Sequence, residues 1–339
     1  MTKHTARPYL VACMVLIVAI LLSIAVGSVS IPFRDLLQIL LGKAQQVAET
    51  ETFKTILYDL RLPRTALLAL VGAALAGSGS AYQGIFRNPL ADPYLIGVAS
   101  GAGLGAVLAM SVQWPYTTTG LMAVPVAAFL GAMLTVLVVY ELARVGKTLP
   151  TTNLILAGVA ISSFANALTS FLMLRSTGEL RRALVWLMGG AVQTGWESVL
   201  AILPYVVIGL GILLINSHAL NVMQFGDEQA QQLGIPVQRV RRTVLVAASL
   251  TTAAAVSYAG VIGFVGLIVP HMVRLVWGGD YRRVMPLSIL GGASFLLIAD
   301  VMARVVMAPQ EIPVGIITAL VGAPFFLWIL RRARQKYEW

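Results

Sequence analysis

Asn216-Ser-His-Ala-Leu-Asn-Val-Met-Gln-Phe-Gly-Asp-Glu-Gln-Ala-Gln-Gln-Leu-Gly-Ile-Pro-Val-Gln-Arg-Val-Arg-Arg242 is the longest polar interruption in the second half of a chain otherwise suited to hydrocarbon. Its punctuation predicts two short helices. Gly226 closes the first as a left-handed cap, Asp227 caps the start of the second, Gly234 ends it and Pro236 forbids continuation. A capped, water-facing unit of this kind between two membrane spans predicts a docking surface for a soluble partner.

Outward from that stretch, apolar runs of about 20 residues recur in both directions. Of the 339 residues, 58% are hydrophobic and 11% charged, the composition of an all-α polytopic membrane protein. Runs and breakers predict about ten spans, near 9–29, 62–82, 94–112, 120–142, 151–173, 194–215, 239–258, 261–277, 285–306 and 313–330. All are read as helices, because a lipid-exposed backbone must satisfy its own hydrogen bonds. No extramembrane segment is long enough to hold a core of its own, so residues 1–339 are expected to form one transmembrane domain. Lys3 and Arg7 precede an apolar run from Tyr9 to Val26, longer than the roughly 7–15 residues of a signal-peptide core, so it is read as a retained first span.

The formal charge of +10 reports topology rather than nucleic-acid binding, since no basic, aromatic-interleaved soluble module exists. With the N-terminus inside, alternation puts the loops around Arg87, Arg144, the central stretch, Arg282 and the tail on the cytoplasmic side. That side then carries fifteen of the 24 lysines and arginines, which places both termini in the cytoplasm. On the outer side, Ser30 to Asp59 reads as an interfacial segment with a short helix from Pro32 through Leu41. Ser176 to Val185 forms a second outer element carrying Arg181 and Arg182.

Several motifs lead nowhere chemically. Glu141 to Thr148 ends in Gly-Lys-Thr, but Glu141 stands where a phosphate loop requires glycine. Gly101 to Ala106 satisfies a dinucleotide pattern formally, yet lies inside a span with no βαβ unit. His4, His218 and His271 are scattered, no catalytic constellation is present, and Cys13 is the sole cysteine. No catalytic residue, cofactor or metal site is expected, and any ATPase must be another chain. Stretches such as Gly72 to Gly79 and Gly97 to Gly105 read mainly as close helix packing, with a minority of small residues lining a wide path.

Arginines on the outer side run against the positive-inside bias. Arg61 and Arg64 share a face at the start of the second span, and Arg304 ends the ninth; exposed there, they suit carboxylates on an outer partner or serve as interfacial anchors. Asp300 sits one turn before Arg304 and either pairs with it or takes part in docking. Arg175, close to Arg181 and Arg182, attracts an anionic solute unless Glu179 neutralises the group.

These residues carry a resemblance. Leu60-Arg-Leu-Pro-Arg64, Asn88-Pro-Leu-Ala-Asp-Pro93, the run from Gly263 to Arg274, Ala299-Asp-Val-Met-Ala-Arg304 and the run from Glu311 to Pro324 are similar to motifs of the FecCD-type permeases. These belong to the iron–siderophore, haem and cobalamin ABC importers. The resemblance spans about Leu10 to Arg332.

It implies a cobalamin-permease-like bundle of ten helices that pairs with an identical or related permease in a bacterial or archaeal inner membrane. Two cytoplasmic ATPase subunits dock beneath, and an outer solute-binding protein delivers the ligand. Arg61, Arg64 and Arg304 match binding-protein docking positions. Coupling helices fall at about 217–237, with Phe225, Gly226, Asp227, Glu228, Ala230, Leu233 and Gly234 meeting the ATPase. Asn166, Ser170, Leu174, Arg175 and Arg181 match the translocation path. The implied cargo is a bulky iron chelate, ferric siderophore before haem, with a corrinoid as the alternative. An ATP-independent secondary transporter or channel is disfavoured by the capped loop and the scarcity of buried carboxylates, and an intramembrane enzyme by the missing catalytic constellation.

Overall fold

The computed structural model describes residues 6–27, 32, 38–39, 48–112, 114–115, 117–146, 148–175, 180–191 and 195–334. Among them there is no strand. Fourteen helices follow in order: α1 (Arg7–Ala25), α2 (Ala48–Thr55), α3 (Leu62–Phe86), α4 (Val98–Met110), α5 (Thr118–Ala143), α6 (Thr151–Arg175), α7 (Leu180–Leu187), α8 (Trp196–Ile215), α9 (Ser217–Met223), α10 (Asp227–Gln232), α11 (Val237–Ala259), α12 (Val265–Trp277), α13 (Tyr281–Val305) and α14 (Val314–Arg334). The expected helix from Pro32 through Leu41 and the start of the outer element, Ser176 to Glu179, lie largely outside the described residues; α2 and α7 cover the remainder of those two segments.

Six helical stretches are long and apolar enough to cross a membrane: Arg7–Ala25, Glu51–Phe86, Gly120–Ala143, Thr151–Arg175, Trp196–Ile215 and Tyr281–Val305. The other predicted spans also fall on helices. α11 has the length, but Arg239, Arg241 and Arg242 make its first turns polar. α4 and α12 have only 13 residues each, shorter than expected, for an identifiable reason. A 3₁₀ turn, Pro93–Ile96, and left-handed Gly97 precede α4; Gly260 and Phe264, both at positive φ, interrupt the chain before α12.

The two irregular segments satisfy each other. Tyr94 Oη donates to the Ile262 carbonyl at 2.9 Å and accepts from the Ile262 N–H at 3.3 Å. Non-helical backbone between apolar spans is tolerated where protein rather than lipid surrounds it.

α3 is the central helix, packed against α8, α11, α12 and α13. Pro63 follows directly on a π-helical turn, Ile56–Arg61, in a helical stretch that runs continuously from Glu51 to Phe86. α3 crosses α13 at Gly72 and Gly292, each so close that a Cβ on either would overlap the other's carbonyl. Gly101 and Gly131 do the same for α4 and α5, so the dinucleotide-like run is a packing surface. In a membrane, close backbone contact replaces the missing hydrophobic drive between helices.

Candidate functional site

The C-terminal ends of α1 and α13 and the N-terminal end of α3 meet in a charged cluster. A π-helical turn, Ile56–Arg61, precedes α3 and turns Arg61 inward. Arg61 Nη1 donates to the carbonyls of Ile24 (2.8 Å) and Ala25 (3.0 Å). Arg304 Nη1 donates to Val26 O at 2.8 Å and to Ser23 O at 3.2 Å. Both arginines thus supply the last turn of α1 with the donors and positive charge that a helix C-terminus lacks.

Arg64 binds Asp300 Oδ1 through Nη2 at 2.8 Å and Nε at 3.1 Å, and Glu311 Oε2 through Nη1 at 2.7 Å. Asp300 Oδ2 lies 3.0 Å from Arg304 Nη2, so the pairing one turn apart is observed.

This arrangement corrects one expectation. Arg61 and Arg304 do not stand exposed toward an outer partner; they are 6% and 3% exposed, because α1 brings unsatisfied carbonyls to them. Of the three, Arg64 lines a surface pocket, with Glu311, Gly189, Gly190 and Pro313. Glu311 was not singled out as a site residue, although its place in the quoted Glu311 to Pro324 run was available.

At the opposite end lies the polar stretch. α9 and α10 form as two short helices; Gly234 (φ 83°) takes a positive φ where α10 ends, whereas Gly226 (φ 115°, ψ 156°) lies outside the left-handed helical region and does not cap α9, whose C-cap is Gln224. Gly226 serves as the N-cap of α10, and Asp227 is its first helical residue rather than its cap. The carboxylate of Asp227 is instead engaged by Arg241 Nη2 at 2.8 Å, with Arg87 Nη2 at 3.5 Å. Ion pairs therefore tie the loop to the ends of α3 and α11.

α9 is held to the start of α13, where Asn221 Oδ1 accepts from Tyr281 N at 2.7 Å and Asn221 Nδ2 donates to Asp280. Burial acts to raise the Asp280 carboxyl, but the hydrogen bonds from Asn221 and the Arg282 N–H, with Arg282 and Arg283 nearby, outweigh it and hold the group below the usual carboxylate range. Ala230, on α10, is fully buried, whereas Phe225 and Leu233 are 70% and 66% exposed and Glu228 is exposed as well. A polar loop anchored by ion pairs and presenting two large apolar side chains has the form of a protein-docking surface.

α6 is flanked by α4 and α5 and leaves one face uncovered. Asn166 and Ser170 are exposed on it and line a cavity of about 450 Å³ with Tyr94, Ser100, Ser162 and Thr169. The lining carries hydroxyl and amide groups but no charge. Leu174 is 87% exposed. Arg175 lies over the Phe171 ring at 5.9 Å, and Arg181 is exposed on α7. These three sit beyond the cavity rather than in its wall. Tyr94, Ser100 and Ser162 were missed in the sequence because they come from three separate segments and form no motif.

The FecCD transport family matches residues 15–332. The chain is 49% identical over 286 residues to the cobalamin import system permease protein BtuC of Halobacterium salinarum, covering 84% of this chain and 76% of that one. It is 37% identical to the hemin transport system permease protein HmuU of Yersinia pestis, over 97% of this chain and 98% of that one. A solved structure described as an inward-facing conformation of a metal-chelate type ABC transporter superposes with TM-score 0.83 at 31% identity, covering 95% of this chain and 97% of the other. Permeases of this kind work with ATPase and binding-protein partners and are transport components rather than enzymes. The chain is therefore a multi-pass inner-membrane permease subunit of an ABC importer and belongs to the FecCD transport family.

Proposed function

We propose that residues 1–339 form a single permease domain that pairs with a second permease, identical or related, and passes a bulky metal chelate through the interface between them. The uncovered faces of α6 and α14, bearing Phe164, Leu168, Leu320 and Leu327, support such a pairing. Both termini are cytoplasmic, in keeping with the distribution of arginine and lysine.

Two ATPase subunits engage the loop at Phe225, Gly226, Asp227, Glu228, Ala230, Leu233 and Gly234, with Phe225 and Leu233 as apolar anchors and Ala230 as internal support. An outer solute-binding protein docks over the Arg61, Arg64 and Arg304 cluster, with Arg64 as its reachable charge and the other two positioning α1 beneath it. Asn166 and Ser170 contact the solute; Leu174, Arg175 and Arg181 form the outer mouth. ATP-driven closure of the ATPases moves the loop, and the bundle changes between two packings without covalent chemistry.

The observation that carries the cargo class is the uncharged hydroxyl and amide lining of the 450 Å³ cavity. Such a wall suits a large solute with a neutral, amide-rich periphery, which favours a corrinoid, in line with the 49% identity to a cobalamin permease. A ferric siderophore or haem is the second reading, favoured by Arg175 and Arg181 at the mouth.

The test is uptake into proteoliposomes containing the permease, its ATPase and its binding protein, offered cobalamin, a ferric siderophore and haem in parallel. ATP-dependent accumulation of cobalamin supports the corrinoid reading. Accumulation of either iron chelate alone replaces it with the second, and transport without ATP removes both.

A further inference from the structure

α8 and α11 cross closely at Gly209, where a Cβ would overlap Thr251 Oγ1. Toward the coupling loop they leave a groove of about 500 Å³ lined by Ile212, Arg239, Arg242, Thr243, Val246 and Leu250. The α11 contributions fall at i, i+3, i+4, i+7 and i+11, one stripe down a single helix face. The stripe is graded: two guanidiniums and a hydroxyl at its polar end, then Val246 (54% exposed) and Leu250, with Ile212 opposite.

Arg239 and Arg242 have no carboxylate partner among the described residues. Arg241, between them in sequence, faces the other way, toward Asp227 and the Leu149 carbonyl. Coupling-loop contacts and groove therefore occupy different sides of α11.

We propose that this groove binds an anionic phospholipid, its phosphate held by Arg239 and Arg242 with Thr243 as an additional donor, and one acyl chain lying along Val246, Leu250 and Ile212. Charge complementarity and the polarity gradient select this occupant. The groove runs along α11 from a basic end to an apolar one, and an amphiphile with an anionic head and a hydrocarbon tail matches both ends. The placement in the cytoplasmic leaflet rests on the proposed orientation; the groove itself does not. Because Arg241 on the same two turns holds Asp227, an occupied groove steadies the helix from which the coupling loop departs.

The experiment is native mass spectrometry of the full chain released from nanodiscs containing phosphatidylglycerol and phosphatidylcholine in equal amounts. Wild type is expected to retain phosphatidylglycerol in preference to phosphatidylcholine. The paired variant Arg239→Gln and Arg242→Gln should lose at least five-fold of that retention, and Val246→Trp, which fills the groove without changing charge, should lose a comparable share. Unchanged retention in both variants overturns the proposal. So does displacement of the lipid by inorganic phosphate at millimolar concentration, which identifies a headgroup-only anion site.

If retention is unchanged and ATPase co-purification is lost instead, the arginines serve the protein partner and the lipid assignment falls. Size exclusion of each variant verifies that the bundle is intact. Failure of the importer reading would appear separately, as absent ATPase association in wild type.

Discussion

Arg64 and Asp300, 236 positions apart in the chain, are joined by two hydrogen bonds where the start of α3 meets the end of α13. Asp300 is fully buried and also faces Arg304, so both guanidiniums share it, while Glu311 binds Arg64 alone. Removing one member of a buried ionic group leaves the others uncompensated and costs about 3–5 kcal/mol. Asp300→Ala is therefore expected to lower the thermal unfolding temperature in detergent well below that of Glu311→Gln, whose partner keeps Asp300. Equal, small shifts would show that the cluster contributes little to stability.

Separation of the three clustered arginines follows from their burial. Arg64→Gln, which keeps a hydrogen-bond donor and leaves Asp300 paired with Arg304, should leave the bundle folded and weaken binding-protein affinity several-fold at low salt, with the difference shrinking as ionic strength rises. Arg61→Glu should instead reduce the yield of folded protein, because a carboxylate would face the carbonyls of Ile24 and Ala25. Affinity measured across a salt series, with a folding control on each variant, checks both.

Gly234, at φ 83°, closes α10 in a conformation that costs a β-branched residue on the order of 1–2 kcal/mol. Gly234→Val is expected to uncouple uptake and ATPase stimulation from an otherwise inserted bundle. Gly226→Pro should behave alike, since φ of 115° is closed to proline. Normal uptake in both variants would remove the coupling assignment.

Tyr94→Phe tests the mutual support of the two interrupted segments. It deletes the acceptor of the Ile262 N–H and the donor to its carbonyl together; leaving such groups unsatisfied costs roughly 1–3 kcal/mol. Hydrogen exchange at Ile262 is expected to accelerate, with a lowered unfolding temperature.

The attachment of α9 to α13 should depend on pH. Asp280 is held below the usual carboxylate range, so its contribution is present above the unfolded-state value of about 4 and is lost as pH falls through the lower folded-state value. Exchange protection in α9 should fall on acidification, and less so in Asp280→Asn, which keeps a capping side chain without the charge.

Much of the architecture was legible in the chain because each signal is local. Apolar runs mark helices, Gly226, Gly234 and Pro236 mark the turns of the polar stretch, and the quoted motifs carry the family. Helix shortening at α4 and α12 was not legible: nothing local marks Phe264 for positive φ, and the turn at Pro93 is viable only because Tyr94 meets Ile262.

The sequence alone determined a helical membrane protein with a capped polar loop, since hydrophobic length and backbone punctuation act within one or two turns. Tertiary structure alone decided which charges face out. Arg61 and Arg304 are buried because α1 delivers its carbonyls to them, across 36 and 37 positions for Arg61 and 278 and 281 for Arg304. Asp227 binds arginines rather than capping its helix because α3 and α11 bring Arg87 and Arg241 to it. A charge is satisfied by its neighbours in space, and only packing chooses those.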